Sequence, residues 1–319
     1  MKALVTGITG FAGSHLAELL VSEGAEVFGT KRVRSPLDNL AEVRDKIHLV
    51  DCELTDAGAV RALLEQVQPE LVFHLAAQSY VLASWKYPAY TLFNNLGSEL
   101  NILEAVRSLQ LDARIHIAGS SEEYGKVEPR ELPLTEESPL RPLSPYGVSK
   151  VAQDLLGYQY FESYGLRVVR TRAFNHTGPR RGVVFATSNF ARQIAEIEAG
   201  KREPVIKVGN LSAKRDFCDV RDVVRAYHLV CARGTPGEVY NICSGRAVTI
   251  EEMLNMLIEE ARVKVKVEVD PERLRPSDVM VLQGDAGKVK RELGWEPTIP
   301  LARSLADLLD YWRARVGGR

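Results

Sequence analysis

Tyr146 and Lys150, in the run SPYGVSK, lie four residues apart. On a helix that spacing puts both side chains on one face. A tyrosine hydroxyl of ordinary pKa about 10 is a poor acid or base at neutral pH, but an adjacent ammonium favours its phenolate, so the two together can move a proton. A third group is expected from Gly119–Tyr124 (GSSEEY), which follows a strand candidate. There the Ser120 hydroxyl can hydrogen-bond a substrate oxygen, and the neighbouring Glu122 carboxylate acts as acid or base where burial raises its pKa.

A second constellation opens the chain. Gly7, Gly10 and Gly13, in TGITGFAG, follow a short β-type run and begin a helical pattern. In that context the first glycine allows a tight turn, the second lets backbone approach a pyrophosphate, and the third lets helix pack on strand, with the helix N-terminus facing the anion. The spacing, GxxGxxG, is one residue longer than the GxGxxG fingerprint. Where an NAD site usually places an acid, at the end of the second strand, the sequence has Thr30, Lys31, Arg32, Val33 and Arg34. Lys31 and Arg32, with no acid expected to oppose them, predict a 2′-phosphate partner, hence NADP(H) rather than NAD(H). Glu53 and Leu54, just past the third strand, are expected at the adenine edge.

These residues need a frame. Strand patterns are read at Lys2–Thr6, Ala25–Thr30, Ile47–Val50, Glu70–Ala76, Arg114–Ala118 and Arg167–Arg172, with helical spacing between most of them. Such alternation predicts an α/β fold with a doubly wound parallel (Rossmann) sheet. Two long helical patterns, Pro88–Leu109 and Tyr146–Tyr164, are apolar on more than one side and either cover the sheet or also form the contact of a homodimer, with a tetramer the further option. Beyond Arg172 the regularity breaks: helices at Ser188–Glu198 and Val220–Cys231, strands at Glu238–Ile242 and Val263–Val269, a helix after Thr249 with a capping box to Glu252, and a closing helix. This predicts a smaller, interleaved α/β substrate lobe, with residues 1–172 and 216–245 binding cofactor and 173–215 and 246–319 binding substrate.

The 41 basic and 42 acidic residues give a net charge of −1, so no global field draws the chain to nucleic acid or a membrane. The four cysteines, Cys52, Cys218, Cys231 and Cys243, form no CxxC pair, and His176 sits singly in a turn; no metal is expected. With no apolar leader at MKALVTGITG, the cytoplasm is the expected compartment.

Together TGITGFAG, LAAQS, SSEEYGK, SPYGVSK, FNHTGPRRG, VGNLSAKRDF and LRPSD resemble the extended short-chain dehydrogenase/reductases acting on GDP-mannose-derived sugars. The resemblance spans nearly the whole chain. It implies that Ser120, Tyr146 and Lys150 are the catalytic set and that Glu122 matches the catalytic glutamate of the dehydratases. It further implies cofactor contacts from Thr9, Phe11, Leu75, Ala76 and Ala77, and substrate contacts from Asn175, Arg192, Lys207, Gly209, Arg215, Arg275 and Asp278. Two activities of this family follow: NADPH-dependent reduction of GDP-4-keto-6-deoxy-D-mannose to GDP-rhamnose, and GDP-mannose 4,6-dehydration with tightly held NADP+. The SSEEYG wording and the short length are closer to the reductase. A non-catalytic NADP(H) sensor is the third option, against which the intact Ser120, Tyr146 and Lys150 speak.

Overall fold

A computed structural model describes residues 1–273 and 279–318. In chain order the elements are β1 (Lys2–Thr6), α1 (Phe11–Ser22), β2 (Glu26–Lys31), β3 (Ile47–Asp51), α2 (Ala57–Val67), β4 (Leu71–His74), α3 (Val81–Lys86), α4 (Pro88–Ser108), β5 (Arg114–Ser120), α5 (Pro145–Tyr164) and β6 (Arg167–Ala173). There follow β7 (Asn175–Thr177), α6 (Ala186–Glu198), β8 (Val205–Val208), β9 (Lys214–Asp219), α7 (Val220–Arg233), β10 (Val239–Ile242), β11 (Ala247–Thr249), α8 (Ile250–Glu259), β12 (Lys266–Val269), β13 (Val281–Leu282), α9 (Gly287–Leu293) and α10 (Leu301–Val316).

Seven strands form one parallel sheet in the order β10-β6-β5-β4-β1-β2-β3. Parallel neighbours require crossover connections, and helices supply them on both faces. One apolar layer joins Leu4, Val72 and Ile115 to Leu63 and Leu64 of α2 and Ile102 and Val106 of α4; the other joins Val5, Val27 and Phe73 to Leu16 and Leu20 of α1 and Val220 and Val224 of α7. Strand order reverses between β1 and β4, which places a crevice beyond their carboxyl ends. The residues with chemistry converge there.

The smaller elements surround a separate apolar cluster containing Phe190 and Ile194 of α6, Leu254 and Leu257 of α8 and Leu305 and Leu308 of α10. β9 pairs with β7, β11 and β13, and β12 pairs with β8. The strand read over Val263–Val269 begins only at Lys266, because β8 offers a four-residue partner. The capping box holds: Glu252 N–H donates to Thr249 Oγ1 at 2.9 Å and Thr249 N–H to Glu252 Oε2 at 2.7 Å. No helix among the described residues is long and apolar enough to cross a membrane.

Candidate active site

The turn between β1 and α1 is built from what glycine alone allows. Gly7 has φ +68°, and a Cβ on Gly13 would lie 2.4 Å from the Gly7 carbonyl oxygen. Gly10 precedes α1 in extended conformation, and no side chain caps the helix, so its first N–H groups face the crevice. Thr6 ties this turn to the next strand: its hydroxyl accepts from the Leu75 and Ala76 N–H groups, each at 3.1 Å, and meets His74 Nδ1 at 3.0 Å. The cradle fits a dinucleotide's pyrophosphate, since it is open just where any larger residue would fill it.

At the end of β2 one expectation needs correction. Lys31 does face an acid, for Asp51 at the end of the paired strand β3 forms an ion pair with it. Strand register causes this, because Lys31 and Asp51 are Cα partners, a juxtaposition invisible from spacing. Arg32, one residue on and exposed, also lines the crevice.

Tyr146 is held by the start of α5. Ser144 caps the helix by accepting from Gly147 N–H at 3.0 Å, and Pro145 follows at the first helical position. Gly147 lets the helix approach β5, as a Cβ there would lie 2.7 Å from the Glu122 carbonyl oxygen. One turn on, Lys150 is buried, its Nζ donating to the Ala118 carbonyl at 2.8 Å and lying 6.0 Å from the Tyr146 ring centre. Burial pushes the Tyr146 hydroxyl above its ordinary value, while the hydrogen bond with Ser120 and the charge of Arg181 pull it back. Burial likewise lowers Lys150 from its ordinary value, opposed by the neighbouring Glu99 and Glu123 carboxyl groups. Tyr146 is therefore held as a neutral phenol, a form suited to giving up a proton.

The adjacent glutamates divide. Glu122 lines the crevice, whereas Glu123 is fully buried, accepting from Ser120 N–H at 2.6 Å and pairing with Arg172 Nε at 3.1 Å. Burial and the charge of Asp154 raise Glu123 to about 8. Its bond to Ser120 N–H fixes the strand end that carries the Ser120 hydroxyl.

A single cleft of about 1140 Å³ is lined by Gly7, Thr9, Gly10, Phe11, Gly13, Lys31, Arg32, Glu53, Leu54, Leu75, Ala76, Ala77, Ser120, Glu122, Tyr146, Lys150, Asn175, Gly209 and Arg215. That exceeds the room one drug-sized ligand needs. Two expected contacts lie elsewhere. Arg192 pairs with Glu196 one helical turn away at 2.6 Å and covers the Trp312 ring, and Lys207 is exposed because Ile206 and Val208, its neighbours on β8, take the buried face. Arg275 and Asp278 lie outside the described residues.

Arg181 was offered by the sequence only within the FNHTGPRRG turn, which the resemblance brings to the sugar and diphosphate, with no role of its own. Its guanidinium stacks over Phe185 at 3.6 Å and Phe11 at 5.0 Å and faces Tyr146, and it lines the cleft. The PRRG run was the available signal, but only the fold separates Arg181 from Arg180, which binds Glu18 at 2.6 Å. His176 hydrogen-bonds the Phe174 carbonyl at 3.1 Å and stacks on Phe11.

The profile of the GDP-mannose 4,6 dehydratase family matches residues 4–308. The chain is 34% identical to the GDP-mannose 4,6-dehydratase of Yersinia enterocolitica, over 97% of this chain and 92% of that protein. It is 33% identical to the GDP-6-deoxy-D-mannose reductase of Pseudomonas aeruginosa, over 99% of this chain and 98% of that one. Among solved structures, RMD from Pseudomonas aeruginosa complexed with NADPH superposes with a TM-score of 0.85 at 31% identity, covering 98% of this chain and 99% of the other. UDP-glucose 4-epimerase from Thermotoga maritima, with UDP-glucose, gives 0.89 at 28% identity and 99% of both chains. A parallel sheet with the crevice at its switch point, the Ser120–Tyr146–Lys150 set and full-length similarity to nucleotide-sugar dehydratases and reductases agree: the chain belongs to the GDP-mannose 4,6-dehydratase family.

Proposed function

We propose that this chain reduces the C4 ketone of GDP-4-keto-6-deoxy-D-mannose to GDP-D-rhamnose, using NADPH. The observation that carries the reading is the state of Tyr146: buried, hydrogen-bonded to Ser120 and held protonated, it is poised to donate. The P. aeruginosa reductase, matched end to end, supports it.

Gly7, Gly10 and Gly13 would hold the pyrophosphate, Arg32 the 2′-phosphate, and Glu53 and Leu54 the adenine edge. NADPH, when bound, supplies the hydride. Tyr146 gives its proton to the oxygen that develops negative charge, and Ser120 hydrogen-bonds the same oxygen. Lys150, anchored on the Ala118 carbonyl, holds its charge behind Tyr146 and steadies the phenolate left after transfer. Asn175, Arg181 and Arg215, which line the same cleft, would contact the sugar nucleotide. Residues 1–172 and 216–245 serve the cofactor, and 173–215 and 246–319 the sugar nucleotide.

One observation favours a second reading. Glu122 lines the same cleft, where a carboxylate could take the C5 proton of an oxidised sugar, as GDP-mannose 4,6-dehydration requires. The deciding experiment follows NADPH absorbance with the keto sugar beside GDP-mannose without added NADPH. Stoichiometric NADPH loss with the keto sugar alone supports reduction; keto product from GDP-mannose without NADPH loss replaces it with dehydration.

The proposed assembly is a homodimer through α4 and α5, which expose Tyr90, Phe93 and Leu100 and Val148, Leu155 and Tyr158.

A further inference from the structure

Close to Lys150, and not among the residues lining the cleft, α4 contributes a carboxyl group that neither the glycine turn nor the catalytic set uses. Glu99 is fully buried, and neither of its side-chain oxygens finds a hydrogen-bond donor. An ionised carboxylate in that position would be buried with no protein donor to either oxygen, a costly state for a side chain.

The neighbour opposite has the same defect. Gln153, on α5, is fully buried too. Its Nε2 donates to the Asn95 carbonyl at 3.0 Å and lies 3.5 Å from His74 Nε2, so the amide orientation is fixed by an acceptor that can only accept. Its Oε1, turned the other way, has no partner. Gln153 lies within reach of Glu99, where its amide N–H would favour a carboxylate, but Nε2 is already engaged by the Asn95 carbonyl and Oε1 is the atom left unsatisfied, so one proton on Glu99 would serve both acceptors. The charged groups facing Glu99 are Lys150 and Asp154 from α5 and Glu123 from the turn after β5, with His74 of β4 reached through Gln153. Asp154 and Glu123 already serve Arg170 and Arg172, Asp154 meeting them at 3.1 and 2.6 Å and Glu123 meeting Arg172 at 3.1 Å.

We propose that Glu99 is a positioning residue held as a neutral carboxylic acid, donating to Gln153 Oε1, so that the charge of Lys150 is left uncompensated on that side and acts toward Tyr146. Burial, reinforced by Asp154 and Glu123, pushes the Glu99 carboxyl well above the carboxylate range against the opposing pull of Lys150 and Gln153, in keeping with this state. The proton also completes a line of side chains from the glycine turn to the catalytic helix: Thr6, His74, Gln153 and Glu99. An ionised Glu99 would instead draw on Lys150 and weaken its hold on a phenolate.

The inference rests on the proton-transfer reading of Tyr146 and Lys150, and its first test does not depend on turnover. Infrared spectra of the NADPH-bound enzyme at neutral pH should contain a protonated-carboxyl carbonyl band that Glu99→Gln removes and Glu123→Gln, which removes the carboxyl raised to about 8, leaves in place. Loss of carboxylate bands in that variant, with the protonated band intact, overturns the proposal. Second, Glu99→Leu should lower kcat about tenfold with KM for the sugar nucleotide little changed, and Glu99→Gln, an isostere of the neutral acid, should restore most of that loss. If Gln is as damaging as Leu, Glu99 acts as a charged counter-ion and the proposal fails. Should Glu99→Leu not fold, the comparison of wild type with Glu99→Gln decides alone. Tyr146→Phe run alongside separates the two ideas, since turnover surviving in it refutes the proton-donor reading and leaves the infrared result standing.

Discussion

Lys31 and Asp51 are Cα partners on adjacent parallel strands, and their side chains form an ion pair at the mouth of the cofactor cleft. Of the two cations expected to meet a 2′-phosphate, Lys31 is therefore the one already engaged.

Arg32 should accordingly carry more of the cofactor preference. Arg32→Ala is expected to raise KM for NADPH roughly tenfold and leave KM for NADH nearly unchanged. Lys31→Ala should have the smaller effect. Steady-state kinetics with both cofactors checks this, and equal effects of the two substitutions would refute the assignment.

Gly13→Ala puts a methyl group 2.4 Å from the Gly7 carbonyl oxygen, backbone that cannot rotate away. Destabilisation of about 1–3 kcal/mol is expected, with loss of NADPH binding. Thermal melting with and without NADPH reads both; a variant still stabilised by the cofactor as wild type is would show that the turn does not hold it.

Tyr146→Phe removes the proposed proton donor and keeps the ring. Turnover should fall about 10²–10⁴-fold while NADPH affinity, measured by fluorescence titration, stays the same. An active variant would move the proton to another group, with Glu122 the first to test.

His116 is fully buried between Thr171, at 2.9 Å, and the Tyr227 ring, and burial with the charges of His74 and Lys150 lowers it to about 3. A folded-state pKa below the unfolded value of about 6.5 contributes stability above that pH and loses it as pH falls toward 3. His116→Phe, which keeps the ring against Tyr227, is expected to be less stable than wild type at neutral pH. Its deficit should shrink steadily between about pH 6.5 and 4. Melting curves at several pH values test this, and a constant deficit would show that folding does not shift the His116 pKa.

Leu155→Glu places a charge on the exposed apolar face of α5. Light scattering after gel filtration should show a shift from dimer to monomer with the melting temperature of the monomer fold little changed. An unchanged mass would exclude this face from the interface.

β1 and β4 were legible as short apolar runs because they bury nearly every side chain, as Leu71–His74 does, whereas the two long helices were legible from their apolar spacing although the faces they bury carry Asn95, Glu99, Lys150 and Asp154. The glycine turn and the Tyr146–Lys150 pair were legible because their geometry is local. β7, β9 and β13 were not, since each is short and defined by pairing with strands distant in sequence. The same reason hid Asp51 beside Lys31 and Glu99 beside Lys150. Arg192 and Lys207 do not line the cleft, a difference that motif resemblance could not reveal because it carries residue type without side-chain direction.

The outer edge of β6 is closed by β10, Val239–Ile242 pairing with Arg170–Ala173. During synthesis the catalytic helix and six strands leave the ribosome first, and β6 presents an open edge until residue 242 follows, on the order of several seconds later. Through that interval its unpaired backbone groups could be captured by another nascent chain. That interval is built into the fold, because α7 supplies Val220 and Val224 to the layer covering the sheet and α6 supplies Phe190 and Ile194 to the second core, so the connection cannot be shortened without losing both.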